Sequence, residues 1–105
     1  MIQVCPTDVV RASAERIWTL LTTPKELAAW TGTTLVEGPD RELRAGDRVV
    51  LGAGMGIPLR LIIQVREAVR PELLSLDIRL PLGVTDDETI RIAAIGPNES
   101  RVMFN

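Results

Sequence analysis

Two successive runs of alternating apolar and polar residues constrain the fold of this chain more than any other feature. In the first run, residues 59–69, leucine, isoleucine or valine occupies positions 59, 61, 63, 65 and 69. In the second, residues 74–80, leucine or isoleucine alternates with Ser75, Asp77 and Arg79. A period of two is typical of a β-strand with one buried and one solvated face. The sequence therefore predicts an antiparallel sheet with one apolar face.

Glycine and proline residues divide the rest of the chain into further strand-length segments. The predicted strands cover residues 2–10, 33–37, 48–53, 59–69, 74–80 and 85–94, and a seventh strand begins at Arg101. Residues 52–56 are rich in glycine, but they lack the lysine of a P-loop and the third glycine of a dinucleotide-binding loop. We therefore predict a flexible hairpin there, within a sheet of about six to seven strands.

Two short helices are predicted between the first and second strands. Ser13 is a suitable N-cap for the first helix, whose apolar residues recur at helical spacing: Ala14, Ile17, Trp18 and Leu21. Thr23 and Glu26 have the spacing of a capping box, and Pro24 takes the first helical position. The second helix should therefore run toward Trp30. With 105 residues, the chain is predicted to be a single α+β domain.

The order and spacing of several motifs resemble those of a known family. Residues 12–18 read A-S-A-E-R-I-W, residues 21–24 read L-T-T-P, and Trp30 follows. Residues 44–47 form a predicted turn, and residues 65–74 read V-R-E-A-V-R-P-E-L-L. These segments are similar to the A-P-x-E-x-V-W, L-x-D-P and V-x-E-x-x-P-P-x-x-L patterns of the polyketide cyclase/dehydrase and START-like (SRPBCC) proteins of the Bet v 1-like superfamily. The resemblance implies a helix-grip fold, in which a curved antiparallel sheet grips a long C-terminal helix.

That long C-terminal helix has no counterpart in the sequence pattern. The last predicted strand begins at Arg101, and no helical periodicity follows it. We therefore expect residues 1–105 to form one START-like domain that is truncated at its C-terminus relative to the family, or one whose apolar sheet face is covered by a partner. A homodimer through this face is one such arrangement, because an uncovered apolar face of this extent would be an interaction site.

The composition excludes several classes of function. The chain has no histidine and one cysteine, so histidine-dependent triads, intramolecular disulfides and the usual zinc sites are excluded. Cys5 has no basic neighbour that would make its thiol reactive. The net charge of -2, with scattered basic residues, gives no electrostatic footprint for nucleic acid. We expect no metal, no cofactor, no membrane span and no signal peptide, and hence a cytoplasmic location.

The resemblance and the apolar alternation together predict a cavity for a small hydrophobic ligand, such as a lipid, a polyketide or a sterol-like molecule. Hydrophobic residues make up 46% of the chain but aromatic residues only 3%, so the cavity walls should be aliphatic. The predicted ligand-binding residues are Leu61, Ile63, Val65, Glu67, Leu76, Ile78, Ile90 and Ile92. Arg79 is a further candidate for a polar contact.

Two other functions remain open at this point. A cyclase or dehydratase of the same family would need a polar group in the cavity, for which the candidates are Glu67, Asp77, Glu88 or an arginine. Glu67 shares the parity of Val65, so it faces the cavity if the strand stays regular. A β-bulge or the strand end would instead turn Glu67 to solvent, and we favour that alternative. A co-chaperone-like interaction module would use the open apolar face to dock a protein.

Two other groups of residues are given structural interpretations. Asp86, Asp87 and Glu88 form a carboxylate cluster beside a predicted turn, where we expect solvated charges rather than a cation site or catalysis. Trp18 and Trp30 could line a ligand site, because aromatic rings offer a large apolar area. For Trp18 we favour a structural role, in which its ring fixes the helix pair to the sheet.

Overall fold

The computed structural model describes residues 7–54 and 59–104, which form one seven-stranded sheet, two α-helices and one short 3₁₀-helix, Pro81–Gly83. The elements, in chain order, are β1 (Thr7–Val10), α1 (Ala14–Thr22), α2 (Pro24–Thr31), β2 (Thr34–Glu37), β3 (Arg48–Ala53), β4 (Leu59–Val69), β5 (Leu73–Arg79), β6 (Thr85–Gly96) and β7 (Glu99–Phe104). The sheet order is β1-β7-β6-β5-β4-β3-β2. Every neighbouring pair of strands is antiparallel. The predicted helix-grip α+β architecture, with its curved sheet, is confirmed.

Some predicted features lie outside the described residues. These are the first residues of the predicted strand 2–10, the predicted unreactive Cys5, and positions 55–58 of the glycine-rich hairpin. The strand described before this hairpin, β3, and the strand after it, β4, pair in antiparallel register from Arg48 with Gln64 to Ala53 with Leu59. The hairpin connection predicted from the glycine content therefore joins two adjacent strands.

Both helices begin where the capping pattern predicts, but only one uses a side-chain cap. The Ser13 hydroxyl accepts a hydrogen bond from the Arg16 backbone N–H at 3.1 Å. Thr23 occupies the N-cap position of α2, yet its side chain makes no capping hydrogen bond. The predicted capping box is therefore wrong in its hydrogen bonding. Pro24 explains why α2 still starts there, because its fixed φ suits the first helical position and it has no N–H to satisfy.

The two faces of the sheet differ in composition, and we call them inner and outer. The inner face packs against α1 and α2, and its buried residues include Ile63, Leu76 and Ile90. Trp18, only 1% exposed, and Leu21 from α1 join the same apolar cluster. The outer face carries mainly polar and charged side chains. This division confirms the predicted antiparallel sheet with one apolar face.

A β-bulge in β4 changes the direction of its side chains. Val65 pairs with Leu76, whereas Glu67 pairs with Ser75, so Arg66 is the extra residue. Since one extra residue reverses the alternation, Ala68 rather than Glu67 follows Val65 on the inner face. Glu67 is exposed on the outer face. The favoured alternative, in which a β-bulge turns Glu67 to solvent, is therefore confirmed. Glu67 does not face the cavity, so its inclusion among the ligand-site residues is wrong.

Arg79 and Asp77 also lie on the outer face, so neither supplies a polar contact to the apolar side. Asp77 pairs with Gln64 across β4, and its carboxylate lies 3.8 Å from the guanidinium of Arg66. Arg79 shares an outer-face depression with Asp77, Gln64 and Arg48. The physical reason is the period of two, since Ile78 between them takes the inner position. The predictions that Arg79 contacts a ligand and that Asp77 is a catalytic candidate are not supported by this placement.

The connection between β2 and β3 is held by one carboxylate. Arg41 donates to both oxygens of Asp47, at 2.7 and 2.9 Å, and the Arg44 backbone N–H donates to the same carboxylate at 2.7 Å. The Arg41 hydrogen bond is the main reason that the pKa of Asp47 is lowered. Leu43, 2% exposed, is tied to α1 by a hydrogen bond from its N–H to the Thr22 carbonyl. The predicted turn at residues 44–47 is therefore an ordered part of the domain.

Candidate functional site

An apolar cavity of about 350 Å³ lies between the inner face of the sheet and the helix pair. Its apolar lining residues are Leu21, Leu27, Trp30, Leu51, Leu61, Ile63, Leu74, Leu76, Ile78, Leu80, Ile90 and Phe104. Thr31, Thr33, Asp86 and Glu88 are its polar lining residues. Small-molecule pockets in proteins have volumes of roughly 300 to 1,000 Å³ and mostly apolar walls, so this cavity falls at the lower end of that range.

A second apolar cavity, of about 250 Å³, adjoins the first. The two share Leu21, Trp30 and Phe104, and the second extends past Ile17 toward Val10 of β1. Trp30 is 54% exposed, and its indole N–H donates to the Leu20 carbonyl at 2.9 Å. This hydrogen bond fixes the ring between the two cavities while leaving much of it open.

Five of the predicted ligand-site residues line the larger cavity: Leu61, Ile63, Leu76, Ile78 and Ile90. Val65 and Ile92 do not line it. Their side chains are 1% and 4% exposed and belong to the buried core. The alternation therefore assigned both residues to the correct face, but on the part of that face where helix packing leaves no space. Glu67, on the outer face, is separate from the cavity.

The polar end of the cavity comes from the carboxylate cluster at the start of β6. Asp86 pairs with Ile78 and Glu88 pairs with Leu76, so both carboxyl groups belong to the inner face. Asp87, between them, lies on the outer face and forms an ion pair with Arg66 at 3.2 Å. Asp86 is exposed, as expected for a solvated charge, although it also borders the cavity. Glu88 is half-buried in the cavity lining, so the expectation is wrong for Glu88. Asp86 and Glu88 alternate with Ile90 at a period of two, and this spacing could have predicted their position on the inner face.

The environment of Glu88 favours its neutral form. Burial against the apolar wall is the main cause that raises the pKa of Glu88, and the negative charge and hydrogen bonding of Asp86 raise it further. A carboxyl group at the edge of an apolar cavity can thus accept, hold or return a proton more readily than a solvated one. Among the described residues that line the cavity, Glu88 is the acid whose pKa is raised by both burial and a neighbouring carboxyl group.

The raised pKa of Glu88 predicts a pH-dependent stability. The folded state binds the Glu88 proton more tightly than the unfolded state, so stability should rise as pH falls through the folded pKa toward the ordinary value. We therefore expect the stability of the wild type relative to Glu88→Gln to increase as pH is lowered from neutral. Urea denaturation of both proteins between neutral and mildly acidic pH measures this difference. A difference that does not change with pH would contradict the prediction.

The other polar lining residues of the cavity are two threonines, Thr31 and Thr33. Thr31 donates to the Leu27 carbonyl at 2.6 Å, and the oxygens of Thr31 and Thr33 lie 2.9 Å apart. With the Thr31 proton directed to Leu27, Thr33 is the donor between the two hydroxyls. Both hydroxyl protons then form hydrogen bonds within the protein. The two threonine oxygens can therefore only accept hydrogen bonds from a ligand.

Residues 7–54 and 59–104 contain no group of three or more histidine, cysteine, aspartate or glutamate side chains arranged to hold a metal ion. In the same ranges, neither helix has the length and apolar character needed to cross a lipid bilayer.

Comparison with known proteins links this site to a family. The sequence model of the activator of Hsp90 ATPase homolog 1-like family matches residues 11–105. No curated protein matches the sequence significantly.

Several solved structures share the fold at low sequence identity. A protein from Arthrobacter aurescens has 16% identity and a TM-score of 0.78, over 95% of this chain and 64% of that one. DynU16, described as a putative protein in the dynemicin biosynthetic locus, has 16% identity and a TM-score of 0.72, over 96% of this chain and 35% of that one. Ms6760 from Mycobacterium smegmatis has 17% identity and a TM-score of 0.72, over 95% and 68% of the two chains. This chain thus spans less than two thirds of the first two proteins.

Proposed function

The chain belongs to the activator of Hsp90 ATPase homolog 1-like family, whose SRPBCC-type fold commonly binds hydrophobic ligands, and from this premise we propose that it binds a small hydrophobic molecule in the inner-face cavity. The observation that carries the proposal is the lining of the 350 Å³ cavity, in which only four of sixteen residues are polar. Such walls offer a ligand shape and desolvation rather than many hydrogen bonds.

The affinity would come mainly from removing apolar surface from water. Each methylene group of a ligand that becomes buried contributes about 0.8 kcal/mol, before the costs of association are subtracted. The branched aliphatic walls suit a flexible chain or a small ring system. The adjoining 250 Å³ cavity gives a longer ligand room to extend beyond Trp30.

Neighbouring residues of β4 provide a matched test of this site. Leu61 lines the cavity, whereas Ile62 lies on the outer face beside Arg48 and Gln64, and both are half-buried. We expect Leu61→Trp to fill part of the cavity and to weaken binding of prodan, an uncharged apolar dye, by at least about tenfold, or about 1.4 kcal/mol. Ile62→Trp should change the dissociation constant by less than about twofold, because it alters no cavity wall. Fluorescence titration measures both constants.

Equal effects of the two substitutions on prodan affinity would contradict the proposal. So would failure of the wild-type protein to bind the dye saturably. Circular dichroism and thermal unfolding of each variant serve as the folding control. Native mass spectrometry of the purified protein adds an independent readout: a bound apolar compound on a monomer supports the proposal, whereas an empty chain found only as a dimer would support the inner face as an assembly surface.

An enzymatic role is the second candidate, and one observation favours it. Of the acids considered from the sequence, Glu88 lines the cavity, whereas Glu67 and Asp77 lie on the outer face. A carboxyl group with a raised pKa is suited to general acid–base catalysis, such as the loss of water from a β-hydroxyketone. Mass spectrometry of the bound compound over time separates the two functions, because a binding protein returns its ligand unchanged.

A further inference from the structure

We propose that the cavity prefers an apolar molecule carrying a protonated amine, which would lie between the carboxyl groups of Asp86 and Glu88. This inference rests on the proposed function and assigns a chemical class to its ligand. Its geometric basis is the position of the two carboxyl groups at one end of an otherwise apolar wall. They are two residues apart on one strand, so their side chains share a face.

The polar groups around the cavity offer acceptors and no cationic donor. Its lining, within the described residues, includes neither lysine nor arginine. Among the other polar lining residues, the Thr31 hydroxyl already donates to the Leu27 carbonyl, and the Thr33 hydroxyl oxygen lies 2.9 Å from that of Thr31. A ligand whose polar end carries hydrogen-bond donors therefore meets acceptors in this cavity, whereas an anionic ligand meets no positive charge among the lining residues.

The nearby arginine side chains lie on the outer face of the sheet. Arg66 contacts Asp87 at 3.2 Å and Asp77 at 3.8 Å, both on the outer face. Arg79 lies beside Arg48 and Gln64 on that same face. Asp86 and Glu88 have no ion pair within the described part of the chain. Burial and the negative charge of Asp86 both disfavour the ionised form of Glu88, and a cation beside the two carboxyl groups would stabilise that form.

The same argument ranks three simple amphiphiles. Decylamine is a cation at neutral pH, so it would neutralise the pair and donate hydrogen bonds to it. Decanol can donate one hydrogen bond but carries no charge. Decanoate would bring a further negative charge to a pair of acidic groups, in a lining that has neither lysine nor arginine among the described residues. We therefore expect the order of affinity to be decylamine, then decanol, then decanoate.

Displacement of prodan by the three compounds tests this order. At neutral pH and low ionic strength, decylamine should bind the wild-type protein at least about tenfold more tightly than decanoate. In the double variant Asp86→Asn and Glu88→Gln, the two affinities should differ by less than about threefold. The double variant Asp77→Asn and Asp87→Asn is the matched control, because it makes the same change in net charge on the outer face and should keep the preference.

The outcomes distinguish this inference from the proposed function. If prodan and decanol bind but decylamine binds no more tightly than decanoate, the amine preference is overturned and apolar binding stands. If prodan and all three compounds fail to bind, both are overturned. Loss of the preference in the outer-face control would assign it to overall charge rather than to Asp86 and Glu88, and would also overturn the inference. The comparison in wild-type protein can overturn the amine preference even if a variant does not fold.

Discussion

Replacing Trp18 by alanine is expected to lower the free energy of unfolding by about 3 to 5 kcal/mol, by the large-to-small rule for buried side chains. The Trp18 ring is 1% exposed, and it lies in the apolar cluster between α1 and the inner face. Its indole nitrogen has no hydrogen-bond partner in the described part of the chain, so the loss would reflect packing alone. Urea denaturation followed by far-UV circular dichroism measures it, because the variant lacks a main fluorophore.

Trp30→Ala provides the comparison for this effect. Trp30 is 54% exposed and donates one hydrogen bond to the Leu20 carbonyl, a contact that typically contributes about 0.5 to 1.5 kcal/mol. We therefore expect a clearly smaller loss of stability than for Trp18→Ala. Equal losses from the two substitutions would contradict the structural role of Trp18. This comparison is informative because the sequence pattern alone offered both rings as possible ligand contacts.

The architecture could be predicted because it follows from local periodicity. The strand pattern in residues 59–69 and 74–80 reappears as β4 and β5, with an apolar inner face and a polar outer face. Ser13 and Pro24 mark the helix starts because their capping preferences act within a few residues. The resemblance to the SRPBCC proteins was confirmed by the family match over residues 11–105. Strand ends shifted by one or two residues, as at Glu99, because hydrogen bonding extends strands into their turns.

The direction of individual side chains was harder to predict, because it depends on pairing between strands. The sequence of residues 59–69 does not reveal that Arg66 is an extra residue. Only the pairing of β4 with β5 places Glu67 on the outer face. The bulge was one of two alternatives left open, and the structure selects it. Similarly, Asp86 and Glu88 follow a turn in sequence, yet register with Ile78 and Leu76 places them on the inner face.

The extent of the cavity could not be predicted from alternation at all. Val65 and Ile92 have the same parity as the lining residues, but they are fully buried in the core. Leu27 and Trp30 of α2 line the cavity although they are far from its strand residues in sequence. Where a helix covers a sheet closely and where it leaves space is a tertiary property, because it depends on how the helix pair packs.

Leu74→Ala should have the second-largest effect and should act on both stability and binding. Leu74 is 1% exposed, belongs to the core cluster and lines the cavity. Truncating it should lower the free energy of unfolding by about 2 to 5 kcal/mol and enlarge the cavity. A ligand that binds only the folded state raises the free energy of unfolding. Since prodan can also fill the space that Leu74 leaves, it should raise the stability of Leu74→Ala more than that of the wild-type protein. Thermal unfolding with and without prodan tests both expectations.

Leu73→Ala is the control, since Leu73 precedes Leu74 in β5, is half-buried and pairs with Arg91 rather than lining the cavity. It should cost less stability than Leu74→Ala, and prodan should stabilise it by the same amount as the wild-type protein. If Leu74→Ala is destabilised but gains only as much stability from prodan as the wild-type protein and Leu73→Ala do, Leu74 is a core residue without a role in binding. A larger stabilisation of Leu74→Ala than of Leu73→Ala by prodan would instead show that Leu74 belongs both to the core and to the ligand site.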